Sequence, residues 1–279
     1  MLLEGLRVVT TALNLPGPAA CARLRDMGAT VAKVEPPAGD PMERFNPSWY
    51  RNLHLGMTIG RLDLKSDEGR RAMAKLLEGA DLLVTAQRSS ALERMGLGPA
   101  NLSREHPRLC HVAITGHASP DDELPGHDLT YLAAHGLVTP PAMPRTLYAD
   151  IAGAERAVST ALALVIARNR EGKGQRAVAA IADAAAALAQ PLYEGLTRPG
   201  ALLGGGSPGY NLYAAREGWI AVAALEPHFE KKLGDKFALG RLTVEALRAL
   251  FVSHDSEYWE EWGRRNDIPI VAVRELPEG

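Results

Sequence analysis

The sequence predicts an α/β fold in which a mostly parallel sheet forms a large domain and a smaller α/β domain follows it. Three observations lead there. Short Val- and Leu-rich runs at 6–10, 30–34, 81–85 and 109–115 alternate with helical patterns, the way parallel strands and their crossover helices are written. A dense set of breakers at 197–209, with Gly204, Gly205 and Gly206 at its centre, interrupts any regular element. A second, shorter series of strand and helix signals then begins near Tyr210. The boundaries that follow are 1–190 for the large domain, 191–212 for a linker and glycine-rich loop, and 213–279 for the small domain.

Each element has its own signal. The first strand follows Gly5, and a helix from about Pro18 to Met27 stops before Gly28. The second strand ends at Glu35-Pro36-Pro37. Ser66-Asp67-Glu68-Gly69 supplies a cap and early acidic residues for a helix that precedes the third strand. A long Ala-, Leu- and Val-patterned helix is predicted over 150–170, stopped by Gly172 and Gly174. A strand over 175–182 and a helix over 183–196 complete the first part. Beyond the breakers, a strand over 219–225 and helices over 226–233, 243–252 and 257–264 are predicted.

Composition narrows the function classes. With 31 Lys+Arg against 33 Asp+Glu the net charge is -2, without the broad positive field that nucleic-acid binding needs. Cys21 and Cys110 lack metal-ligand spacing and read as buried free thiols. No membrane span or basic leader is legible, so a soluble enzyme in the cytoplasm is the expectation, with no membrane partner and no metal.

Several phrases occur in an informative order: Leu3-Glu4-Gly5-Leu6-Arg7-Val8-Val9, Gly28 through Glu35-Pro36-Pro37 to Asp40-Pro41, Leu62-Asp63-Leu64-Lys65-Ser66, Ala91 to Gly98, Gly126-His127-Asp128-Leu129-Thr130-Tyr131, Gly172-Lys173-Gly174-Gln175, and Glu217-Gly218-Trp219 leading to Glu226-Pro227-His228-Phe229. Together they resemble the family III CoA-transferases and racemases, most closely the alpha-methylacyl-CoA racemase branch. The resemblance implies a Rossmann-like large domain with a small α/β domain, in a homodimer whose chains interlock. It also implies an acyl-CoA thioester as substrate, with CoA part of that substrate and no cofactor required.

Within that resemblance, Gly126-His127-Asp128 matches the racemase motif, Asp150 matches the carboxylate that serves racemases as base and transferases as nucleophile, and Glu226 matches a glutamate expected near the histidine. Racemisation beside a thioester carbonyl needs one base on each face of the α-carbon, and His127 and Asp150 are chemically suited to it. Glu226 would orient the imidazole, and the backbone amide of Asp128, at the start of a helix predicted from the 129–137 pattern, would face the enolate oxygen. Each residue also has an ordinary reading as a turn or helix-cap residue. Where the family usually presents Asn-Arg-Gly-Lys, this chain reads His54-Leu55-Gly56-Met57, so Arg44, Arg51, Arg61 and Arg88 are the candidate CoA-binding cations. Gly204, Gly205 and Gly206 match a loop that covers the acyl-enzyme in transferases. The alternatives are a CoA-transferase using Asp150 as acyl acceptor and a non-catalytic acyl-CoA-binding relative.

Overall fold

The computed structural model describes residues 1–239 and 241–275, in two compact units, Met1–Ala189 and Gln190–Gly279. In the first unit the chain runs β1 (Arg7–Thr10), α1 (Pro16–Asp26), β2 (Thr30–Glu35), α2 (Pro41–Phe45), α3 (Pro47–His54), β3 (Thr58–Arg61), α4 (Asp67–Glu78), β4 (Leu82–Thr85), α5 (Ser89–Arg94), α6 (Pro99–Glu105), β5 (Cys110–Thr115), α7 (Asp128–Ala134), α8 (Tyr148–Glu171), β6 (Arg176–Ala180) and α9 (Ile181–Leu188). The six strands form one sheet in the order β3-β2-β1-β4-β5-β6, and every pair is parallel. That is the parallel sheet the strand pattern predicts and the Rossmann-like arrangement the family resemblance implies.

Two cores explain why the strands read as continuous apolar runs. Side chains alternate across a strand, so Val8, Leu82 and Val84 join α1, α7 and α8 in one core, while Val9 and Leu83 join Met73, Leu77, Leu92 and Leu102 in the other. Helix α4 is capped as its sequence implies, Ser66 Oγ accepting from the Gly69 amide. The sequence missed β3: all four of its residues are exposed, as suits a short edge strand with no apolar pattern to betray it. The predicted helix over 183–196 is two pieces, α9 and α10 (Gln190–Tyr193), broken at Ala189, because Pro191 has no N–H with which to continue the hydrogen-bond ladder.

The second unit continues with a wide turn at Leu202–Gly206, then β7 (Tyr210–Ala214), β8 (Trp219–Ala223), α11 (Pro227–Lys236), α12 (Val244–Phe251), α13 (Ser256–Asn266) and β9 (Ile270–Ala272). Its three strands form an antiparallel sheet, β7-β8-β9. Tyr213, Ile220, Val222 and Ile270 pack on Leu233, Leu247, Phe251 and Trp259 in a separate core. No described helix is long and apolar enough to cross a membrane.

Candidate active site

The sheet order reverses between β1 and β4, and the crevice outside the carboxyl ends of strands at such a point is where open α/β sheets bind ligands. Gln87 closes the two strands there: its Oε1 accepts from Thr11 Oγ1 at 2.8 Å and its Nε2 donates to the Thr11 carbonyl at 2.6 Å. Three depressions adjoin along this edge. One, of about 350 Å³, is lined by Leu13, Met42, Phe45, Tyr131 and both predicted bases, His127 and Asp150. A second shares Gly116, Gly126, His127 and Tyr131 with it and reaches Gln87, Arg88 and Asp122. The third, an apolar groove of about 460 Å³, meets the first at Leu13 and the second at Gln87, and runs past Pro36, Leu62, Lys65 and Met95.

Helix α7 begins at Asp128 as the sequence predicts. His127 is its cap residue, exposed at the pocket mouth, and its amide donates to Thr130 Oγ1 at 3.0 Å. Asp128 stands at the first helical position, where a backbone amide has no intrahelical acceptor. Its side chain does something the sequence did not reveal. The carboxylate is buried and its Oδ1 accepts from the amides of Ala149 at 2.7 Å and Asp150 at 3.1 Å, capping α8 rather than its own helix. Asp150 is therefore the third residue of α8, set in place by Asp128.

Asp150 is partly buried, and its pKa is pushed up to about 6, first by burial and then by the Asp128 carboxylate, with His127 pulling the other way. That is near the range in which a general base works at neutral pH. Tyr131 is the functional candidate the sequence reading missed. It is 3% exposed, burial and the Asp150 charge raise its pKa, and its hydroxyl lies so close to Gly116 and Gly126 that a Cβ on either would come within 2.5 Å of it. The two glycines were the available signal, but only the folded chain shows what they make room for.

The remaining predicted residues divide between the units. Arg88 lines the depression beside His127. Arg44 and Arg51 are exposed on α2 and α3, and Arg61 pairs with Glu43 at 3.2 Å on the surface. Lys65, quoted in the sequence only as part of a phrase and not among the candidate cations, lines the apolar groove. His54 stands not as a lost cation but as a buried residue beside Lys33, whose ammonium lies among Glu35, Asp40 and His54, the metal-type cluster found among the described residues. Glu226 belongs to the second unit, exposed as the cap residue of α11 without a side-chain cap bond. Gly204, Gly205 and Gly206 are also there, and the turn itself demands them: a Cβ at Gly204 would lie 1.8 Å from the Arg198 carbonyl oxygen, and Gly205 has φ +88°.

A profile for CoA-transferase family III matches residues 3–278. The chain belongs to that family. Among its relatives, the alpha-methylacyl-CoA racemase of Homo sapiens is 32% identical over 253 residues, 84% of this chain and 64% of that protein. A Thauera aromatica protein, succinyl-CoA:(R)-benzylsuccinate CoA-transferase subunit BbsE, is 34% identical over 236 residues, 75% of this chain and 57% of its own. The chain thus spans a little under two thirds of the length of the human and mouse racemases it matches. The fold is also that of the Mycobacterium tuberculosis hypothetical protein Rv3272, with a TM-score of 0.85 at 24% identity, covering 98% of this chain and 84% of the other. A racemase and a CoA-transferase are both among these relatives, so membership of the family does not by itself choose between the two reactions.

Proposed function

We propose that the protein is a racemase of 2-methylacyl-CoA thioesters, moving the α-proton through an enolate between His127 and Asp150. The observation that carries this reading is the single pocket lined by both an exposed imidazole and a carboxyl whose pKa is pushed up to about 6. A carboxylate with that pKa takes a proton readily near neutrality, and an imidazole gives one back. On deprotonation of the α-carbon the electron pair moves into the thioester carbonyl, and the Asp128 amide, at the start of α7, would donate to the oxygen, a contribution of about 3 kcal/mol for one such donor. Tyr131 bounds the same space. The adjoining apolar groove with Lys65 suits the nucleotide end of CoA, with the chain between passing Leu13 and Gln87. The reaction needs no cofactor beyond the CoA of the substrate, and a homodimer is part of the same reading, checked by light scattering.

The transferase relatives favour a second reading, in which Asp150 attacks the thioester carbonyl and releases CoA as thiolate. Two assays separate the readings. Incubation of one enantiomer of a 2-methylacyl-CoA in deuterated water, followed by NMR, is expected to give deuterium at the α-carbon and the opposite enantiomer. Transfer of CoA to an added carboxylic acid without α-exchange would replace the racemase reading by the transferase one.

A further inference from the structure

We propose that the buried cluster of Lys33, Asp40 and His54 is a positioning device for the wall of the catalytic pocket, acting through the backbone of Asn14 and Met42. The inference rests on the racemase reading only for what the pocket does. The Lys33 side chain is wholly buried; its ammonium hydrogen-bonds Asp40 Oδ2 at 2.5 Å and His54 Nε2 at 2.7 Å and forms an ion pair with Glu35 Oε1 at 3.1 Å. An ammonium only donates, so His54 must accept at Nε2 and its Nδ1–H donates to the Tyr50 carbonyl at 2.7 Å. His54 is therefore neutral in this arrangement. Glu35 in turn accepts from the Tyr50 hydroxyl at 2.7 Å, tying β2 to α3.

The second oxygen of Asp40 points away from this knot. Asp40 Oδ1 accepts from the amides of Asn14 at 3.0 Å and Met42 at 2.9 Å. Asn14 has φ +62°, a left-handed conformation that a non-glycine residue holds at a cost its surroundings must offset. Leu13, Asn14, Leu15, Pro16 and Met42 all line the pocket that holds His127 and Asp150. Both backbone outlets of the cluster thus end in the pocket wall. Burying ions stabilises a fold poorly compared with apolar side chains, whereas hydrogen bonds among them fix one geometry; within this cluster Glu35 Oε2 is buried without a hydrogen-bond partner, while both oxygens of Asp40 are engaged. The device sets where the substrate's acyl end rests against the bases.

Asp40→Asn tests this, because an amide cannot serve the Lys33 ammonium and both backbone amides with two accepting oxygens. With 2-methylacyl-CoA as probe, kcat for α-proton exchange is expected to fall about tenfold or more while KM stays within about threefold. Hydrogen-exchange mass spectrometry should show residues 11–17 exchanging about tenfold faster, with β5 unchanged. His54→Leu, which removes one acceptor of Lys33 and leaves Asp40 in place, is the second variant should the first not fold, and is expected to move both readouts in the same direction. A folded variant with wild-type kcat, or with unchanged exchange at 11–17, overturns the proposal. If the wild-type protein exchanges no α-proton, the racemase reading falls, and the hydrogen-exchange comparison alone then decides the coupling.

Discussion

Asp150 is where the physical chemistry of the site concentrates. Its raised pKa means the folded protein favours the neutral carboxyl, so its contribution to stability is full below the ordinary carboxyl value of 3.8 and is lost as pH rises through about 6. Asp150→Asn holds the neutral form at every pH and is expected to raise stability at neutral pH by roughly 2 kcal/mol while removing racemisation; differential scanning calorimetry and the NMR assay check the two halves. The carboxylate works as a base only when ionised, so wild-type exchange should decline as pH falls through about 6. Asp128→Asn removes the neighbouring charge that helps raise Asp150 but keeps an acceptor for α8. Its acid limb should therefore shift to lower pH. His127 and Asp150 were legible as candidate bases because each sits in a short motif. Tyr131, Lys33 and Asp40 were not legible as site residues, because their roles depend on partners that only the fold brings near, such as Gly116 beside the Tyr131 hydroxyl and the Asn14 amide beside Asp40.

At the scale of elements, α7 and α8 are joined through one carboxylate. Asp128→Ala is expected to lose about 1 kcal/mol from the cap on α8, measured by urea denaturation, with a larger loss of exchange activity because the first turn of α8 carries Asp150. In the sheet, Leu83 is fully buried against α4 and α5, and Leu83→Ala should cost about 3 kcal/mol without changing the pH dependence of the site. Strands β1, β2, β4 and β5 were visible in the sequence because burial on both faces leaves an apolar run. Strand β3 was not, since an exposed edge strand carries no such pattern. The start of α7 was read correctly from the 129–137 spacing, but nothing local shows that Asp128 would cap α8 twenty residues on.

Across the whole molecule, the two units have separate cores, one pair around the six-stranded sheet and one beneath β7-β8-β9. The fragment 1–189 contains the complete parallel sheet with His127, Asp128 and Asp150, and is expected to melt cooperatively by circular dichroism. Comparing its α-proton exchange with that of the full chain measures what Glu226 and the rest of the second unit contribute. The central claim is that two different residues serve opposite faces of one α-carbon. It is tested most directly by following α-deuterium incorporation separately for the (2R) and (2S) forms of a 2-methylacyl-CoA in His127→Ala and in Asp150→Asn. Each variant should fail to racemise yet still exchange the α-proton of one enantiomer, with the surviving enantiomer opposite in the two variants. Equal loss for both enantiomers in either variant, or racemisation that persists, would contradict a two-base site.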